Sequence, residues 1–507
     1  MAGVALALSF QKTNIAGLAW VAPALILFAA RGPNSFRIGY LAGFTHYLIS
    51  LSWLLHIPVK FYPILGWIAL AAYLALYPAA WAWLCVRSQR SEGAGWLDRT
   101  VFALFCAVAW VAVEMIVARM ITGFPWNLLG ASQQRLLPLI QIASWTGVYG
   151  VSFLVVWFSV SLLHALTGLI ARPAQRNVWL RELALPILAV AAIYAFGLHR
   201  MASESKTSRT LRVALVQPSI PQTMIWNPAD SNARFAELMK LTEAALANTP
   251  DLLIWPEAAV PKMVRYDPDT QRAIAQLALS NHVWLIIGSD DSEMHGTNEI
   301  YFNSSFLVSP GGELISTYRK RRLVIFGEYV PLIDWLPFVK YLTPITSGFT
   351  AGERPVTFDL GELGLKTSVL ICFEDVFPHY AREHAVEDID FLVNITNDGW
   401  FGEGAAQWQH AASAAFRAVE NGVPLVRCAN NGVSCWIGRF GDMNNVFFDD
   451  ARDVYRAGFK IVSVPIPSLE VKSRRTFYNR HGDWFGWCCF AFTSLAFAMR
   501  LRFRKPN

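Results

Sequence analysis

Leu370-Ile-Cys-Phe-Glu-Asp375 ends an apolar run with a thiol, and this stretch decides how the second half of the chain is interpreted. Two other motifs with charged groups precede it. Glu257 closes Leu253-Ile-Trp-Pro-Glu257, and Lys320 lies in Tyr318-Arg-Lys-Arg-Arg-Leu-Val324. Each of the three groups stands where a predicted strand meets a loop. An acid, an amine and a thiol placed in this way are the parts of a cysteine acyl-transfer site.

A thiol at its ordinary pKa is mostly protonated at neutral pH, so a nucleophilic cysteine needs a base or a cation beside it. The carboxylate of Glu257 can act as the base, and the ammonium of Lys320 can stabilise the thiolate and the oxyanion that forms after attack on a carbonyl. The chain offers no histidine at a position that matches the papain arrangement. His379, His384 and His410 are expected to cap helices or face solvent. The sequence therefore predicts a cysteine site whose base is a glutamate.

The composition divides the chain between lipid and water. Of 507 residues, 54% are hydrophobic and only 16% are charged, whereas soluble domains carry about 25% charged residues. Much of the chain must therefore face lipid. The formal net charge is +6, but no basic tract dominates, so we expect no nucleic-acid partner.

The seven cysteines show neither metal spacing nor a disulfide framework. Cys428 and Cys435 could pair in an extracytoplasmic domain, but two thiols in a core are the favoured interpretation. We therefore expect no metal.

Apolar stretches near the length needed to cross a hydrocarbon core of about 30 Å fill the first 200 residues. Their ends carry Trp and Tyr, as interfacial belts do. Six such stretches are predicted spans, and a seventh lies near the C-terminus: 15–30, 38–57, 62–86, 101–118, 148–170, 183–198 and 484–499.

Basic residues occupy every second connection between these stretches, which the positive-inside rule assigns to the cytoplasm. They are Arg31, Arg37, Arg87, Arg90, Arg99, Arg172, Arg176 and Arg181, with Arg500, Arg502, Arg504 and Lys505 after the last span. Counting forward puts residues 201–483 outside, although Arg474, Arg475 and Arg480 favour the opposite side. Met1 to Phe10 would reach only about 15 Å as a helix, so they are either a truncated or tilted first span or a mis-set start, and they lack the marks of a signal peptide.

Residues 201–209 are a polar linker, and beyond them short β-rich runs alternate with helical patterns. The predicted strands are 211–217, 251–255, 283–288, 302–308, 313–320, 366–372, 391–396, 424–428, 433–438 and 458–464. The predicted helices are 231–247, 269–281, 378–387 and 407–421. Ser-Pro-Gly-Gly at 309–312 is a hairpin turn signal. Strand pairs between helices favour a layered α/β sandwich.

Glu257, Lys320 and Cys372 together resemble the Glu-Lys-Cys triad of the nitrilase superfamily. The resemblance implies an αββα sandwich from 210 to 468, so the chain would consist of a polytopic helical membrane bundle (1–200), the linker, an extracytoplasmic nitrilase-like domain, and a C-terminal span with a basic cytoplasmic tail (469–507).

The membrane helices on both sides of this domain are similar to the apolipoprotein N-acyltransferase family. Motifs that match in order are Gly123 to Trp126, Ile-Pro-Gln followed by Trp226, Phe326 to Pro331, Asn397 to Gly402, Trp408 to His410 and Asn430 to Gly432. Two positions depart from the pattern: Ile325 stands where Pro is expected, and Phe373 stands where Tyr is frequent. Both changes leave the triad intact.

The resemblance implies a reaction in two half-steps without a metal or organic cofactor. Cys372 would take the sn-1 acyl chain of a phospholipid, phosphatidylethanolamine, as a thioester, and the N-terminal amine of a diacylglyceryl apolipoprotein would then accept that chain. Glu328 would orient Lys320, and Glu374 would support the site. Trp226, Tyr329, Phe349, Trp400 and Phe401 are candidate lid or substrate-binding groups, with ordinary interior or interfacial aromatics as the equal alternative. The protein would be a monomer in the bacterial inner membrane, with its catalytic domain facing the periplasm.

The nearest alternative is a membrane-tethered amidase that uses the same triad, with water as the acceptor; the number of spans argues against it, since a tether needs one. A transporter or lipid-binding scaffold is the alternative from another class, and the intact triad argues against it. Glu114 lies within a predicted span, where a structural hydrogen bond is favoured over a functional role. Arg417 and Glu420 are one turn apart and are expected to form an ion pair.

Overall fold

The computed structural model describes residues 1–10, 13–59, 61–89, 95–171, 176–203, 207–225, 227–331, 348–386, 388–448, 453–468 and 475–502. The chain divides into two compact units. The helical unit comprises Met1–Leu55, Ile64–Glu204 and Thr476–Asn507, and the sandwich unit comprises His56–Pro63 and Ser205–Arg475.

The α-helices in chain order are α1 (Ala2–Leu8), α2 (Ala22–Ala29), α3 (Ser35–Ser50), α4 (Tyr62–Ser88), α5 (Trp96–Val117), α6 (Leu137–Ile140), α7 (Ala143–Thr146), α8 (Val148–Ala171), α9 (Arg176–Ser203), α10 (Gln222–Ile225), α11 (Ser231–Leu246), α12 (Pro268–Asn281), α13 (Pro378–His384), α14 (Ala406–Asn421), α15 (Phe477–His481) and α16 (Trp484–Arg502). The strands are β1 (Thr207–Gln217), β2 (Leu252–Ile254), β3 (Trp284–His295), β4 (Asn298–Val308), β5 (Leu314–Arg319), β6 (Thr357–Asp359), β7 (Lys366–Ile371), β8 (Phe391–Thr396), β9 (Leu425–Ala429), β10 (Cys435–Ile437), β11 (Met443–Asn444) and β12 (Gly458–Pro467).

Among the described residues, four helices are long and apolar enough to cross a membrane: Tyr62–Ser88, Trp96–Val117, Val148–Ala171 and Leu180–Ala202. They correspond to four of the predicted spans. Predicted span 15–30 is instead a short 3-10 helix followed by α2, and 38–57 is most of α3 followed by another 3-10 helix. Predicted span 484–499 lies within α16. The first helix has seven residues, which extend about 10 Å at the α-helical rise.

Glu114 has the structural role expected of it. Its Oε1 accepts hydrogen bonds from the Leu129 backbone N–H at 2.7 Å and from the Trp110 indole N–H at 3.0 Å. A polar side chain inside an apolar span needs such partners because no water is available there. The side chain therefore ties α5 to the 3-10 helix Leu129–Gln133.

The sandwich unit contains two six-stranded mixed sheets with the orders β12-β1-β2-β3-β4-β5 and β11-β10-β9-β8-β7-β6. The neighbours β1-β2-β3 in one sheet and β7-β8-β9 in the other are parallel, and the outer pairs are antiparallel. The turn at 309–312 joins the antiparallel pair β4 and β5, which confirms the predicted hairpin. Parallel central strands bring their carboxyl ends to one edge of each sheet, which is where ligands bind in open α/β sheets.

Side chains of successive residues point to opposite faces of a strand, and this alternation builds the layers. Val213 of β1 and Val369 of β7 belong to one buried cluster between the sheets. Ala214, the next residue of β1, packs instead with α11 and α12. On the second sheet, Leu370 packs with α13 and α14. The order of layers is therefore helices, sheet, sheet, helices, the αββα sandwich that the resemblance implies.

Several buried polar groups are explained by this packing. Arg417 and Glu420 form the expected ion pair on α14, with Nη2 and Oε1 2.8 Å apart. Cys428 and Cys435 are buried free thiols, which confirms the core interpretation over a disulfide.

Candidate active site

Cys372 follows directly on the last residue of β7 and adopts a left-handed backbone conformation, with φ of 52°. A residue other than glycine is uncommon there, and such strain clusters at functional sites. The Cys372 carbonyl oxygen accepts a hydrogen bond from Asn394 Nδ2 at 3.1 Å and lies 3.2 Å from His410 Nε2. These contacts to its carbonyl oxygen fix the turn, and Cys372 is 6% exposed.

Glu257 stands just beyond β2 and is reached by polar groups from two directions. Its Oε1 accepts a hydrogen bond from Asn303 Nδ2 at 2.7 Å, and its Oε2 accepts one from the Asn397 backbone N–H at 2.9 Å. The backbone of this segment runs alongside β3 and comes closest to it at Gly288. A Cβ atom at Gly288 would lie 2.2 Å from the Pro256 carbonyl oxygen and 2.8 Å from the Glu257 Cα. Only glycine allows this approach, which fixes the position of the carboxylate.

Lys320 follows β5 and is 1% exposed. Its Nζ donates hydrogen bonds to Glu257 Oε1 at 3.0 Å and to Glu328 Oε1 at 2.8 Å. Burial acts to lower the pKa of Lys320, but the charges of Glu257 and Glu328 more than offset it, and the pKa lies well above its usual value. The side chain is therefore a charged ammonium between two carboxylates.

The Cys372 thiol, in contrast to the charged Lys320, is neutral at rest. Burial raises its pKa well above the usual value, the Glu257 charge raises it further, and the Lys320 charge opposes both. The resting sulfur is therefore protonated, and a nucleophilic role requires a base at the moment of attack. The structure thus brings the three predicted residues together, with Lys320 hydrogen bonded to Glu257 and the thiol within the field of both.

Glu328 and Glu374 connect the loops that carry these residues. Glu328 Oε1 also accepts a hydrogen bond from Asn303 Nδ2 at 2.9 Å, and its Oε2 accepts one from the Val324 N–H. Glu374 is fully buried and accepts hydrogen bonds from the Ile371, Arg321 and Arg322 N–H groups and the Tyr318 hydroxyl. Since Ile371 precedes the cysteine and Arg321 follows the lysine, the Glu374 carboxylate joins the turn of Cys372 to the turn of Lys320.

The predicted lid residues Tyr329, Phe349, Trp400 and Phe401 are all partly exposed. The Phe349 backbone N–H donates to the Glu328 carbonyl oxygen at 2.8 Å. Phe349 is therefore next to Glu328 in space, and Tyr329 is next to it in the chain. Trp400 and Phe401 belong to the 3-10 turn after β8. Trp226 lies outside the described residues. A role for these groups in binding substrate stays a prediction.

A buried charge network beneath the cysteine turn was missed by sequence reasoning. Asp375, Asp398, His410 and Arg427 are all fully buried. Arg427 pairs with both aspartates at 2.8 Å, and the imidazole lies 2.7 Å from Asp375 Oδ1 and 2.9 Å from Asp398 Oδ1. The expectation that His410 caps a helix or faces solvent is therefore wrong, because this α14 side chain points into the sandwich.

Two carboxylates facing one imidazole favour its charged form. Burial and the Arg427 charge act to lower the pKa of His410, but Asp375 and Asp398 outweigh them and the pKa lies above its usual value. The pKa of Asp398 falls to about 2, since the charges of Arg427 and His410 outweigh the opposing effect of burial. His384, also buried rather than exposed, shows the reverse: burial lowers its pKa to about 3, with a further contribution from Arg321.

Because the pKa values of the two histidines shift in opposite directions, we expect the contribution of His410 to stability to depend on pH between 7 and 9, and that of His384 not to. A raised pKa means that the contribution of His410 is complete below the unfolded value of about 6.5 and is lost as pH rises through the folded value. We expect His410→Gln to lower stability by about 3 kcal/mol or more at pH 7, as when a buried ion pair is broken, and by less at pH 9. Thermal melting of the purified full chain at both pH values measures the difference.

His384→Gln is the matched control, because that buried imidazole is neutral at both pH values. Its effect on the melting temperature should be the same at pH 7 and pH 9. An equal loss at the two pH values for His410→Gln would show that His410 is not charged in the fold.

The close approach at Gly288 predicts an effect on activity from a single methyl group. Gly288→Ala must push the Pro256–Glu257 backbone away from β3. A displacement of about 1 Å at a reacting group costs roughly 10²-fold in rate, so we expect activity to fall by about that factor. Gly311→Ala, at the turn between β4 and β5 where a Cβ would meet only the Ser309 Oγ at an ordinary contact distance of 3.4 Å, is the control, and equal activity losses in both variants would refute the argument.

Asn303, Asn397 and Tyr318 also escaped sequence reasoning, because each acts through a contact with a residue distant in the chain. The motif that begins at Asn397 is part of the family resemblance, but nothing local indicates that its N–H binds a glutamate 140 positions earlier. Within the described ranges, no group of three or more His, Cys, Asp or Glu side chains is arranged to hold a metal ion.

Two family models match successive parts of the chain. A model of the apolipoprotein N-acyltransferase N-terminal domain matches residues 2–161, and a carbon-nitrogen hydrolase model matches residues 212–451. The chain is 37% identical to an apolipoprotein N-acyltransferase of Geobacter metallireducens, with 99% of this chain and 94% of that protein covered. It is 33% identical to an apolipoprotein N-acyltransferase of Rickettsia prowazekii, with 80% of this chain and 79% of that protein covered. Among solved structures, an amidase from Nesterenkonia sp. is 18% identical, with 54% of this chain and 97% of that chain covered and a TM-score of 0.38.

Proposed function

Because this chain belongs to the apolipoprotein N-acyltransferase family, we propose that it moves an acyl chain from a phospholipid to the N-terminal amine of a lipoprotein. The acceptor carries an S-diacylglyceryl cysteine, and the reaction completes lipoprotein maturation. The observation that carries the proposal is the buried contact of Lys320 with Glu257 beside the strained Cys372 turn, in a chain similar to these acyltransferases over almost its full length.

In the first half-reaction Glu257 takes the thiol proton as Cys372 attacks the sn-1 ester carbonyl of phosphatidylethanolamine. A carbon–sulfur bond forms, the ester carbon–oxygen bond breaks, and the proton passes from Glu257 to the departing lysophospholipid. Lys320 stabilises the oxyanion, because a fixed ammonium in a water-poor site interacts strongly with developing charge. The raised pKa of the thiol supports a base-assisted attack over a preformed thiolate.

In the second half-reaction the lipoprotein amine attacks the thioester carbonyl. A carbon–nitrogen bond forms, the carbon–sulfur bond breaks, and Glu257 carries a proton from nitrogen to sulfur. The same ammonium stabilises both oxyanions, which have the same geometry relative to the sulfur. Exclusion of water between the two steps protects the thioester, and the burial of Cys372, Lys320 and Glu257 supports such exclusion.

We further propose that the sandwich unit faces the periplasm of a bacterium from the inner membrane, and that the protein acts as a monomer. The membrane helices support a membrane protein, and the distribution of arginines between them supports this orientation. Labelling of single cysteines introduced into the sandwich unit of intact cells tests it, since a membrane-impermeant reagent reaches only a periplasmic domain.

The reaction itself is tested with phosphatidylethanolamine that carries an isotopically labelled sn-1 chain. Mass spectrometry should find the labelled acyl group on the Cys372 peptide, and a diacylated lipopeptide should discharge it with transfer to the peptide amine. Rapid discharge by water, with no acylated lipopeptide, would instead support a membrane-tethered amidase, which the carbon-nitrogen hydrolase match also allows.

A further inference from the structure

Asp290 of β3 carries a further carboxyl group close to Glu257, which the mechanism above does not use. Asp290 is two residues beyond Gly288, the residue against which the Glu257 backbone packs, so both face the same side of the strand. Asp290 is directly opposite Asn303 in the β3–β4 register, and opposite side chains of an antiparallel pair lie side by side. Since Asn303 binds Glu257, the Asp290 carboxyl group is a neighbour of the proposed base.

The Asn303 amide presents an unused acceptor at this place. Its Nδ2 donates to both Glu257 and Glu328, which fixes the orientation of the amide. Its Oδ1 is buried and has no hydrogen-bond partner among the residues that the structure describes, in a side chain that is 5% exposed. A buried acceptor without a partner is unfavourable, so the site is suited to a ligand that donates hydrogen bonds.

The charges around this acceptor favour a cationic donor. The charges of two carboxylates, Glu257 and Glu328, act on the Asp290 carboxyl group, and Lys320 is bonded to the two glutamates. Arg234 is a cation that acts on Asp290, and its guanidinium already donates to backbone carbonyls of α10. Burial, followed by the charges of Glu257 and Glu328, raises the pKa of Asp290 to about 7, and Arg234 opposes the rise.

The stoichiometry of the proposed second half-reaction requires a second proton acceptor besides Glu257, and a base beside the amine would make the free amine available at neutral pH. An α-ammonium group carries three protons on nitrogen and the amide product carries one, so two protons must leave. One returns to the sulfur through Glu257. The other has to leave before attack, because a protonated amine has no free electron pair, and Glu257 cannot hold both protons.

We propose that Asp290 and Asn303 Oδ1 form the subsite for the α-ammonium group of the acceptor, and that Asp290 removes its first proton. The nitrogen–hydrogen bond breaks with its electron pair left on nitrogen, and the proton bonds to an Asp290 carboxylate oxygen. The free amine, still hydrogen bonded to Asn303 Oδ1, then attacks the thioester. Asp290 returns its proton to solvent after the product leaves, which its partial exposure permits. This inference rests on the acyl transfer proposed above.

A single-turnover experiment on the full-length enzyme separates the two half-reactions. Wild type and Asp290→Asn are each loaded with acyl groups from phosphatidylethanolamine, and mass spectrometry follows the Cys372 adduct before and after addition of a diacylated lipopeptide. We expect acylation to proceed at the same rate in both. Because an α-amine with a pKa of about 7.7–8.0 is mostly protonated at pH 7, we expect transfer in Asp290→Asn to be slower by about tenfold at pH 7 and close to wild type at pH 9.

Two controls make the expected pattern specific. Glu293→Gln removes another carboxylate from β3, but on an exposed side chain that pairs with Arg319, and it should leave both steps unchanged. Hydroxylamine, which is largely uncharged at neutral pH, needs no base before attack and should discharge the Asp290→Asn adduct at the wild-type rate.

The outcomes are distinguishable. Equal slowing of acylation and transfer, or a transfer defect that persists at pH 9, would show that Asp290 only supports Asn303 and would overturn the proposal, as would unchanged transfer at pH 7. Absence of any Cys372 adduct in the wild type would instead refute the acyl-transfer function itself.

Discussion

Cys372→Ala is expected to abolish the acyl adduct and to lower acyl transfer by at least about 10⁴-fold, the scale seen when a covalent nucleophile is removed from a catalytic triad. Alanine cannot form a thioester, and neither Glu257 nor Lys320 supplies another nucleophile at the same place. The fold should survive, because Cys372 contributes only one buried sulfur atom and its carbonyl contacts with Asn394 and His410 involve the backbone. Intact-protein mass spectrometry and the melting temperature measure the two effects.

The chain offers a matched control in another buried thiol. Cys428 lies on β9 with its Sγ 3.3 Å from the Ile254 carbonyl oxygen, inside the cluster between the sheets. Cys428→Ala removes the same atom from the same core but should leave acyl transfer unchanged. A labelled acyl group on Cys372→Ala protein, or equal loss of transfer in both variants, would contradict the assignment of Cys372 as the nucleophile.

Local patterns were sufficient for most of the sandwich. In the segments that form β1, β3, β4 and β8, apolar residues either alternate with polar ones or follow one another without interruption. These patterns are long enough to predict a strand. The two- and three-residue strands β11 and β6 were not predicted, since so short a segment has no periodicity. They form because the edge of the second sheet offers unpaired backbone groups to nearby chain.

Hydropathy predicted the membrane character of the first half but not the ends of all its helices. The stretch 15–30 is apolar throughout, yet a 3-10 segment precedes α2 within it, and α3 ends at Ser50 inside the stretch 38–57. An apolar window reports transfer to lipid, whereas helix ends depend on packing and on backbone hydrogen bonds that the window does not contain.

At the site, the sequence supplied the groups whose chemistry is distinctive and missed those that position them. Glu257, Lys320 and Cys372 stand out because an acid, an amine and a thiol follow predicted strands. Asn303 carries no such signal, since an asparagine in a strand is ordinary until its partner is known. Its contacts with Glu257 and Glu328 depend on the β3–β4 register, which local pattern does not determine.

Lys320→Met is expected to lower stability by about 3–5 kcal/mol, the cost of removing one partner from a buried ion pair. Methionine fills a similar volume, so the loss arises from the charges of Glu257 and Glu328, which would face each other without a cation between them. Acylation of Cys372 should fall by roughly 10²–10³-fold, as when a donor to an oxyanion is removed. Denaturant unfolding and the rate of adduct formation measure the two effects separately.

A second substitution distinguishes charge from packing. In the double variant Lys320→Met/Glu328→Gln one of the two carboxylates is gone, so repulsion between them is relieved and part of the lost stability should return, while acylation stays slow because the oxyanion still has no cation. Lys366→Met is the control, since its ammonium pairs with Asp388 at the surface, where ion pairs contribute little, and it should leave stability and acylation near wild type. If the double variant were no more stable than Lys320→Met, electrostatic repulsion between Glu257 and Glu328 would not be the cause of the loss, and the lost hydrogen bonds from Lys320 Nζ would account for it instead.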